Sequence, residues 1–378
     1  MRRLGLLSVI LAIGCGREAP ESGQATAMAQ TEAVALASIC GNGVREGGEQ
    51  CDDGGQVNLD GCSASCRFEQ VHRINWVLMQ FAGDALCPLN ALGGAIAGSE
   101  ARRELQNNLN ASIQDGSMTG LLQMLGLDDL TGTDDRSVGV GVLGGTPFAG
   151  IGYDGANDLD WWYQVDPTTI DAQRGPLSIL PGYIAGRVLT THPSSVAFRS
   201  SNGVMRASNA WLSVTTGASG APLTSAGTPP GHLPHEQLDP ALVSYATAGE
   251  RNDFGSGRLC GNASAKSLSQ VPAPSALQAG SWLSCFEGYG PSNSLLDVLV
   301  GGCTILFTRQ IRATQPDTED PAAPSAGAGP PYRLTRNSLR QVSGCLDAFG
   351  APVDLEICLN DAAYSVFAKF ASGRVIAK

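Results

Sequence analysis

Val138-Gly139-Val140-Gly141-Val142 alternates branched apolar side chains with no side chain at all. Successive side chains leave opposite faces of a strand, so a period of two puts all three valines on one face, against a core. The same period recurs nearby. Ser195 to Phe198 and Val204 to Val214 flank Asn202-Gly203, a dipeptide that accepts the positive φ a tight hairpin turn demands. Ile74, Trp76, Leu78 and Gln80, with Val77 and Met79 between them, read as a buried strand of about eight residues. Further strands are expected at Ile184 to Leu189, Gly257 to Ser267 and Thr304 to Arg312. A last hairpin is expected from Tyr364 to Phe370, turning at Ser372-Gly373 into Arg374 to Ala377.

Two stretches carry the helical period instead. From Ser99 to Asp115, Ser99 can cap, Leu105, Leu109 and Ile113 recur every four residues, and Gly116 ends the run. Leu121, Leu122 and Leu125 predict a second short helix over Met118 to Leu127. The expected fold class is α+β and β-rich: a short helical pair followed by an antiparallel sheet or sandwich-like domain, preceded by a small disulfide-rich module. Composition agrees. The 378 residues are 43% apolar and 16% charged, enough for a sizeable core, and 48 glycines favour turns and short strands. With 24 basic against 35 acidic residues the net charge is −11 and no Lys/Arg cluster offsets it, which excludes a phosphate backbone as partner.

The segment Cys40 to Arg67 (CGNGVREGGEQCDDGGQVNLDGCSASCR) has almost no large apolar side chains, so cross-links or a metal must hold it. Structural zinc sites present close cysteine pairs, and here only Cys62 and Cys66 are close while Cys40 and Cys51 stand apart. Two disulfides are the better reading, with three connectivities open. Asp52, Asp53, Asn58 and Asp60 offer hard oxygens on glycine-rich backbone, a candidate calcium set, although no bidentate Glu closes an EF-hand loop; the same residues also cap turns. The string CGNG, a Gly-Glu pair, CDDG and DGCSASC resembles the myxobacterial cysteine-rich repeat, over Cys40 to Arg67 only. That resemblance implies an exported, envelope or extracellular setting and no catalytic activity.

The N-terminus reads as an export signal. Arg2 and Arg3 precede an apolar run, Leu4 to Ile13, too short to span a bilayer. Ala12-Ile13-Gly14-Cys15 resembles the lipobox of bacterial lipoproteins, with Ala12 where that family prefers Leu. The resemblance implies cleavage before Cys15 and its acylation, hence a membrane partner through Cys15 and an outer-membrane or cell-surface location. Without Cys15 the eleven cysteines leave ten, an even number. Cys87, Cys260, Cys285, Cys303, Cys345 and Cys358 are expected as structural disulfides of the main domain, with Cys345 and Cys358 as a local bridge. The expected layout is a signal peptide (1–14), a lipid-anchored tether (15–38), the cysteine-rich repeat (39–68), a β-rich main domain (69–313), a Pro/Ala/Gly-rich loop (314–332) and a C-terminal hairpin segment packed on the main domain (333–378).

Nothing assembles into a coherent catalytic set. Gly139, Gly141 and Gly144 fit a dinucleotide fingerprint as a string, but the helix that would hold a pyrophosphate is not expected after them. His232-Leu-Pro-His235-Glu236 lacks the helical i, i+4 spacing of a zinc peptidase, and Pro234 blocks a helix there. Ser219 lacks the glycine of a nucleophile elbow. Asp158, Asp160, Trp161, Trp162 and Tyr163 form an acidic-aromatic cluster that could line a carbohydrate cleft or simply pack. Two functions follow. One is a non-catalytic envelope lipoprotein, structural or binding a protein or glycan ligand, with no catalytic residues and no cofactor unless calcium. The other is a secreted polysaccharide hydrolase with carboxylates near Trp161.

Overall fold

The alternation at Val138–Val142 becomes one stave of a barrel. The computed structural model describes residues 38–147, 162–200, 203–215, 257–320 and 332–377, apart from 51, 53, 60, 61, 68, 115, 130, 131, 282 and 283. These belong to the unit Ser38–Lys378. The signal, Cys15 and the tether lie outside the described residues. The first half of the fold is β1 (Gln70–Met79), α1 (Ala91–Ala95), α2 (Ser99–Gln114), β2 (Gly120–Leu125), β3 (Asp135–Pro147), β4 (Trp162–Val165), β5 (Ser178–Ala185), β6 (Val188–Thr191), β7 (Ser194–Ser200), β8 (Gly203–Thr215) and β9 (Gly257–Ser264). There follow α3 (Ala265–Gln270), α4 (Leu295–Gly301), β10 (Cys303–Ile305), β11 (Thr308–Ile311), β12 (Thr318–Glu319), β13 (Arg333–Arg336), β14 (Val342–Leu346), β15 (Pro352–Val353), α5 (Leu355–Asp361) and β16 (Ala362–Ala377).

Antiparallel ladders join β1 to β2, β2 to β3, β3 to β5, β5 to β6, β6 to β8, β8 to β9 and β9 to β16, and β16 returns to β1. The result is a large antiparallel sheet nearly closed into a barrel. Its interior holds Val138, Val140 and Val142 with Leu122, Met124, Leu180, Ile184, Leu189, Leu212, Val214 and Phe370. Eight staves enclose just enough space for such side chains to fill. The glycines between the valines face outward, where a Cβ on Gly141 would lie 2.4 Å from Pro176 Cγ. Bare backbone there lets Pro176 sit directly on the barrel wall.

One seam needs a substitute. The β1–β2 ladder covers only Gln70–Arg73. Past it, the Val77 N–H donates to Asn110 Oδ1 at 2.9 Å, the Asn110 amide donates to Val77 O at 2.8 Å, and the Met79 N–H donates to Gln106 Oε1 at 2.9 Å. Side chains of α2 thereby satisfy a sheet edge that would otherwise stand open.

The helix expected at Ser99 to Asp115 is α2. The second expected helix, Met118 to Leu127, is instead the strand β2, so the helical pair is not the one the sequence suggests. Leu121 faces outward into a cluster with Val71, Leu143, Tyr163 and Val165, while Leu122 and Met124 face the barrel interior. A strand buried on both faces has no alternation to betray it. The expected strand at Ile184 to Leu189 spans a turn, with Gly186 and Arg187 at φ +56° and +66° closing the β5–β6 hairpin. The strand at Gly257 to Ser267 stops at Ser264, whose hydroxyl accepts from the Ser267 N–H and caps α3. Thr304 to Arg312 is two strands rather than one.

The C-terminal hairpin is also corrected. β16 runs straight through Ser372-Gly373 for 16 residues, because β1 pairs with it across both of these positions, while β9 bonds its first half, up to Phe370. Residues 333–378 therefore hold the small sheet β13–β14–β15, then α5, then a central stave of the barrel. The expected loop 314–332 contains β12, which pairs with β16. A second core lies beside the barrel, where Leu268, Leu296, Val298, Leu299, Tyr289 and Tyr364 pack together.

Burial pushes the phenols of Tyr163, Tyr289, Tyr332 and Tyr364 above their usual value, Tyr332 to about 12. A phenol freed by unfolding ionises near pH ~10, so the stabilisation is complete below that pH and is lost as pH rises through the folded value. In an alkaline titration followed at 295 nm, Tyr163, Tyr332 and Tyr364 should stay neutral at about pH 11 and ionise only as the fold melts. Seven tyrosines titrating together near the free value would contradict the packing.

Candidate functional site

Every described cysteine is bonded. Cys40 pairs with Cys66, Cys87 with Cys260, Cys285 with Cys303 and Cys345 with Cys358, at Cα–Cα distances of 5.5, 6.0, 5.1 and 6.4 Å. These fall in the range a disulfide can span. Cys62 is bonded too, and Cys51 lies outside the described residues. The six main-domain cysteines are thus consumed as three bridges, including the local one expected between Cys345 and Cys358. None of them is left as a thiolate for metal or nucleophilic work.

In the cysteine-rich module the organising group is the Asp52 carboxylate. Its Oδ2 accepts from the Gly41 and Asn42 N–H groups at 2.9 and 3.2 Å, and its Oδ1 from those of Gly43 and Gly54 at 2.9 and 2.8 Å. Gly41 and Gly43 sit at φ +89° and +79°, the left-handed backbone that aims successive N–H groups into one concavity. Burial alone would raise the Asp52 pKa, but the four N–H donors outweigh it and hold the carboxyl below the usual range. Asn58 accepts from the Ala64 N–H at 2.9 Å and donates to Gln173 O at 3.0 Å. Two of the four candidate calcium ligands therefore spend their oxygens on backbone, as turn caps do. Asp53 and Asp60 lie outside the described residues.

The module is seated on the outside of the barrel by Leu59. This side chain is 1% exposed, in the cluster of Val71, Leu121, Leu143 and Tyr163, although its own backbone is left-handed at φ +65°. The Leu59 N–H donates to Glu69 Oε1 at 2.7 Å, and the Gln50 amide donates to Leu127 O at 3.0 Å. Arg67 and Asp128 pair at 2.7 Å but are 40% and 69% exposed, so the pair adds little.

The other sequence candidates do not converge. Gly139, Gly141 and Gly144 lie within β3, which continues to Pro147 as strand, so no helix N-terminus receives a phosphate there. Tyr163 is buried in the outer cluster with the Arg73 guanidinium 5.6 Å from its ring centre. His72 is a buried residue of β1 opposite Leu122, and His192 is exposed. Asp158, Asp160, Trp161, His232, His235 and Ser219 lie outside the described residues.

A feature the sequence did not announce stands on the surface beside the second core. The turn of the β10–β11 hairpin is Leu306-Phe307, 70% and 91% exposed, with both residues left-handed at φ +45° and +66°. Phe286, 59% exposed, lies against Phe307 with ring centres 5.2 Å apart and planes at 56°. The support is rigid. Cys285–Cys303 ties the two segments, the Phe286 N–H donates to Thr304 O at 2.9 Å, and Glu287 accepts from the Thr304 N–H and hydroxyl at 2.8 and 2.9 Å. Each left-handed non-glycine residue costs about 1–2 kcal/mol. Turn chemistry would favour Asn-Gly at these two positions, which is why the sequence read as one strand across them. Arg309, two residues past Phe307, is exposed, as is Arg340, whose guanidinium carbon lies 3.4 Å from where a Cβ on Gly288 would stand. Among the described residues neither arginine has an ion-pair partner.

Comparisons of this chain with protein-family models, with curated proteins and with solved structures found no match.

Proposed function

We propose that this chain is a non-catalytic lipoprotein of the cell envelope, structural or ligand-binding, carrying one cysteine-rich repeat of the myxobacterial type. The observation that carries the reading is the bonding of every described cysteine, across both the module and the main domain. Such pairing persists in an oxidising compartment and is rare where thiols are kept reduced. The short apolar N-terminal run and Cys15 add the route to that compartment and an acyl anchor to stay on its membrane. The folded part supports a binding or structural role in a further way. Its disulfides tie the loop before α1 to the barrel strand β9, the segment around Cys285 to β10, and β14 to α5, which suits a body that must persist outside the cell without repair.

Intact mass of the mature protein, before and after reduction and thiol alkylation, tests this directly. The expected product starts at an acylated Cys15 and takes up no alkylating reagent until reduced. A product retaining Met1, or one with free thiols before reduction, would overturn it.

A further inference from the structure

We infer that the β10–β11 hairpin is a membrane-interface contact, with Leu306 and Phe307 inserting at the acyl boundary of an anionic bilayer while Arg309 meets its headgroups. The inference deepens the envelope reading and rests on it for the presence of a bilayer. Three observations carry it. First, the apolar tip is exposed at a cost: two large side chains stand in solvent on a left-handed turn that Asn-Gly would form without strain. Second, the tip is pinned by a disulfide, by both Glu287 oxygens and by Phe286 packed behind it, so insertion requires no ordering of the segment. Third, the local charge runs against the rest of the molecule. In a chain of net charge −11, the charged residue nearest the tip along the hairpin is Arg309, exposed on β11, and the Glu287 carboxylate behind the hairpin is engaged by Thr304.

That pairing of hydrocarbon with guanidinium is complementary to an anionic lipid surface, where apolar side chains bury at the acyl boundary and basic ones sit among headgroups. Leu306 and Phe307 offer no donor or acceptor, so a sugar ligand would find nothing there to fix its hydroxyls.

The test uses the full chain carrying Cys15→Ser, which removes the acyl anchor, with and without the double change Leu306→Asn and Phe307→Gly. The double change installs the dipeptide the turn prefers, so a loss of binding cannot come from a weakened hairpin. Both proteins are sedimented with vesicles of phosphatidylcholine alone and of phosphatidylcholine with about one-third phosphatidylglycerol. The expected result is partition onto the anionic vesicles that falls about tenfold on the double change and a few-fold on Arg309→Gln, and that weakens with salt. Equal partition of the two proteins would overturn the inference. So would a double change that alters the oligomeric state or abolishes binding to a glycan array while leaving vesicle binding untouched. The two readings fail separately. An acylated, fully bridged product whose vesicle binding ignores the hairpin sinks only this inference, and a product never acylated at Cys15 sinks only the lipoprotein assignment.

Discussion

Replacing Cys87 and Cys260 together by alanine should lower the stability of the folded body by about 3–5 kcal/mol, a drop of roughly 10 °C in melting temperature. The bridge closes a loop of 173 residues from the segment before α1 to β9. In the chain-entropy account a loop of that length restrains the unfolded ensemble by about 5 kcal/mol, against about 3 kcal/mol for a loop near 15 residues. The bridge Cys345–Cys358 closes only 13 residues and provides the internal comparison. Both are buried, so lost contact is similar in kind: Cys87 and Cys260 pack with Phe367, Cys345 and Cys358 with the second core. Part of the loss will be absorbed, because Asp84 still holds the Leu86 and Cys87 N–H groups at 2.9 Å and still pairs with Arg258 on β9. Denaturant midpoints of the two double variants should therefore differ by about 2 kcal/mol, the long loop suffering more. Equal losses would mean that native packing around the sulfurs, and not restraint of the unfolded chain, sets what each bridge contributes.

What the sequence disclosed depended on whether an element had one buried face or two. Val138, Val140 and Val142 were legible because the outward positions between them are glycine, and α2 because it lies on the barrel with one face to solvent. β2 was not, since Leu121 and Leu122 are both buried, on opposite sides of the barrel wall, and consecutive leucines score as helix. Ser372-Gly373 carries turn chemistry, yet the ladder to Arg73 and Ile74 of β1 holds it extended, and the irregularity appears in β1 as a register shift between Ile74 and Trp76. Cysteine arithmetic anticipated that the sulfurs pair and chose Cys345–Cys358, whose partners are near in sequence. It had no access to Cys87–Cys260, a contact made only once β9 is in place. The surface hairpin was hidden for the opposite reason. Leu306 and Phe307 break the local rules for both turns and surfaces, and a sequence reading assigns such residues to a core by default.

Leu59→Gly should undock the cysteine-rich module by about 2–4 kcal/mol, the balance of two opposing effects. Glycine takes φ +65° without penalty, which returns about 1 kcal/mol to the folded state. Removing a leucine that is 1% exposed forfeits about 3–5 kcal/mol, because the barrel wall beneath it, formed by Val71, Leu121 and Leu143, is too rigid to collapse into the space. Burial wins. The module's internal structure should survive, since Cys40–Cys66 and the four N–H groups on Asp52 do not involve Leu59. The separation of the two effects is visible by hydrogen exchange: amides of Gly41, Gly43 and Gly54 keep their protection, while the Leu59 amide loses its bond to Glu69 and exchanges quickly. Trypsin should then cut after Arg67 at a rate set by the undocked fraction, while the midpoint of barrel unfolding moves little. Should Leu59→Gly instead lower the barrel's own midpoint by the full amount, with no faster cleavage at Arg67, the module would be an integral part of the barrel's cooperative unit and not a disulfide-held body docked on it chiefly through Leu59.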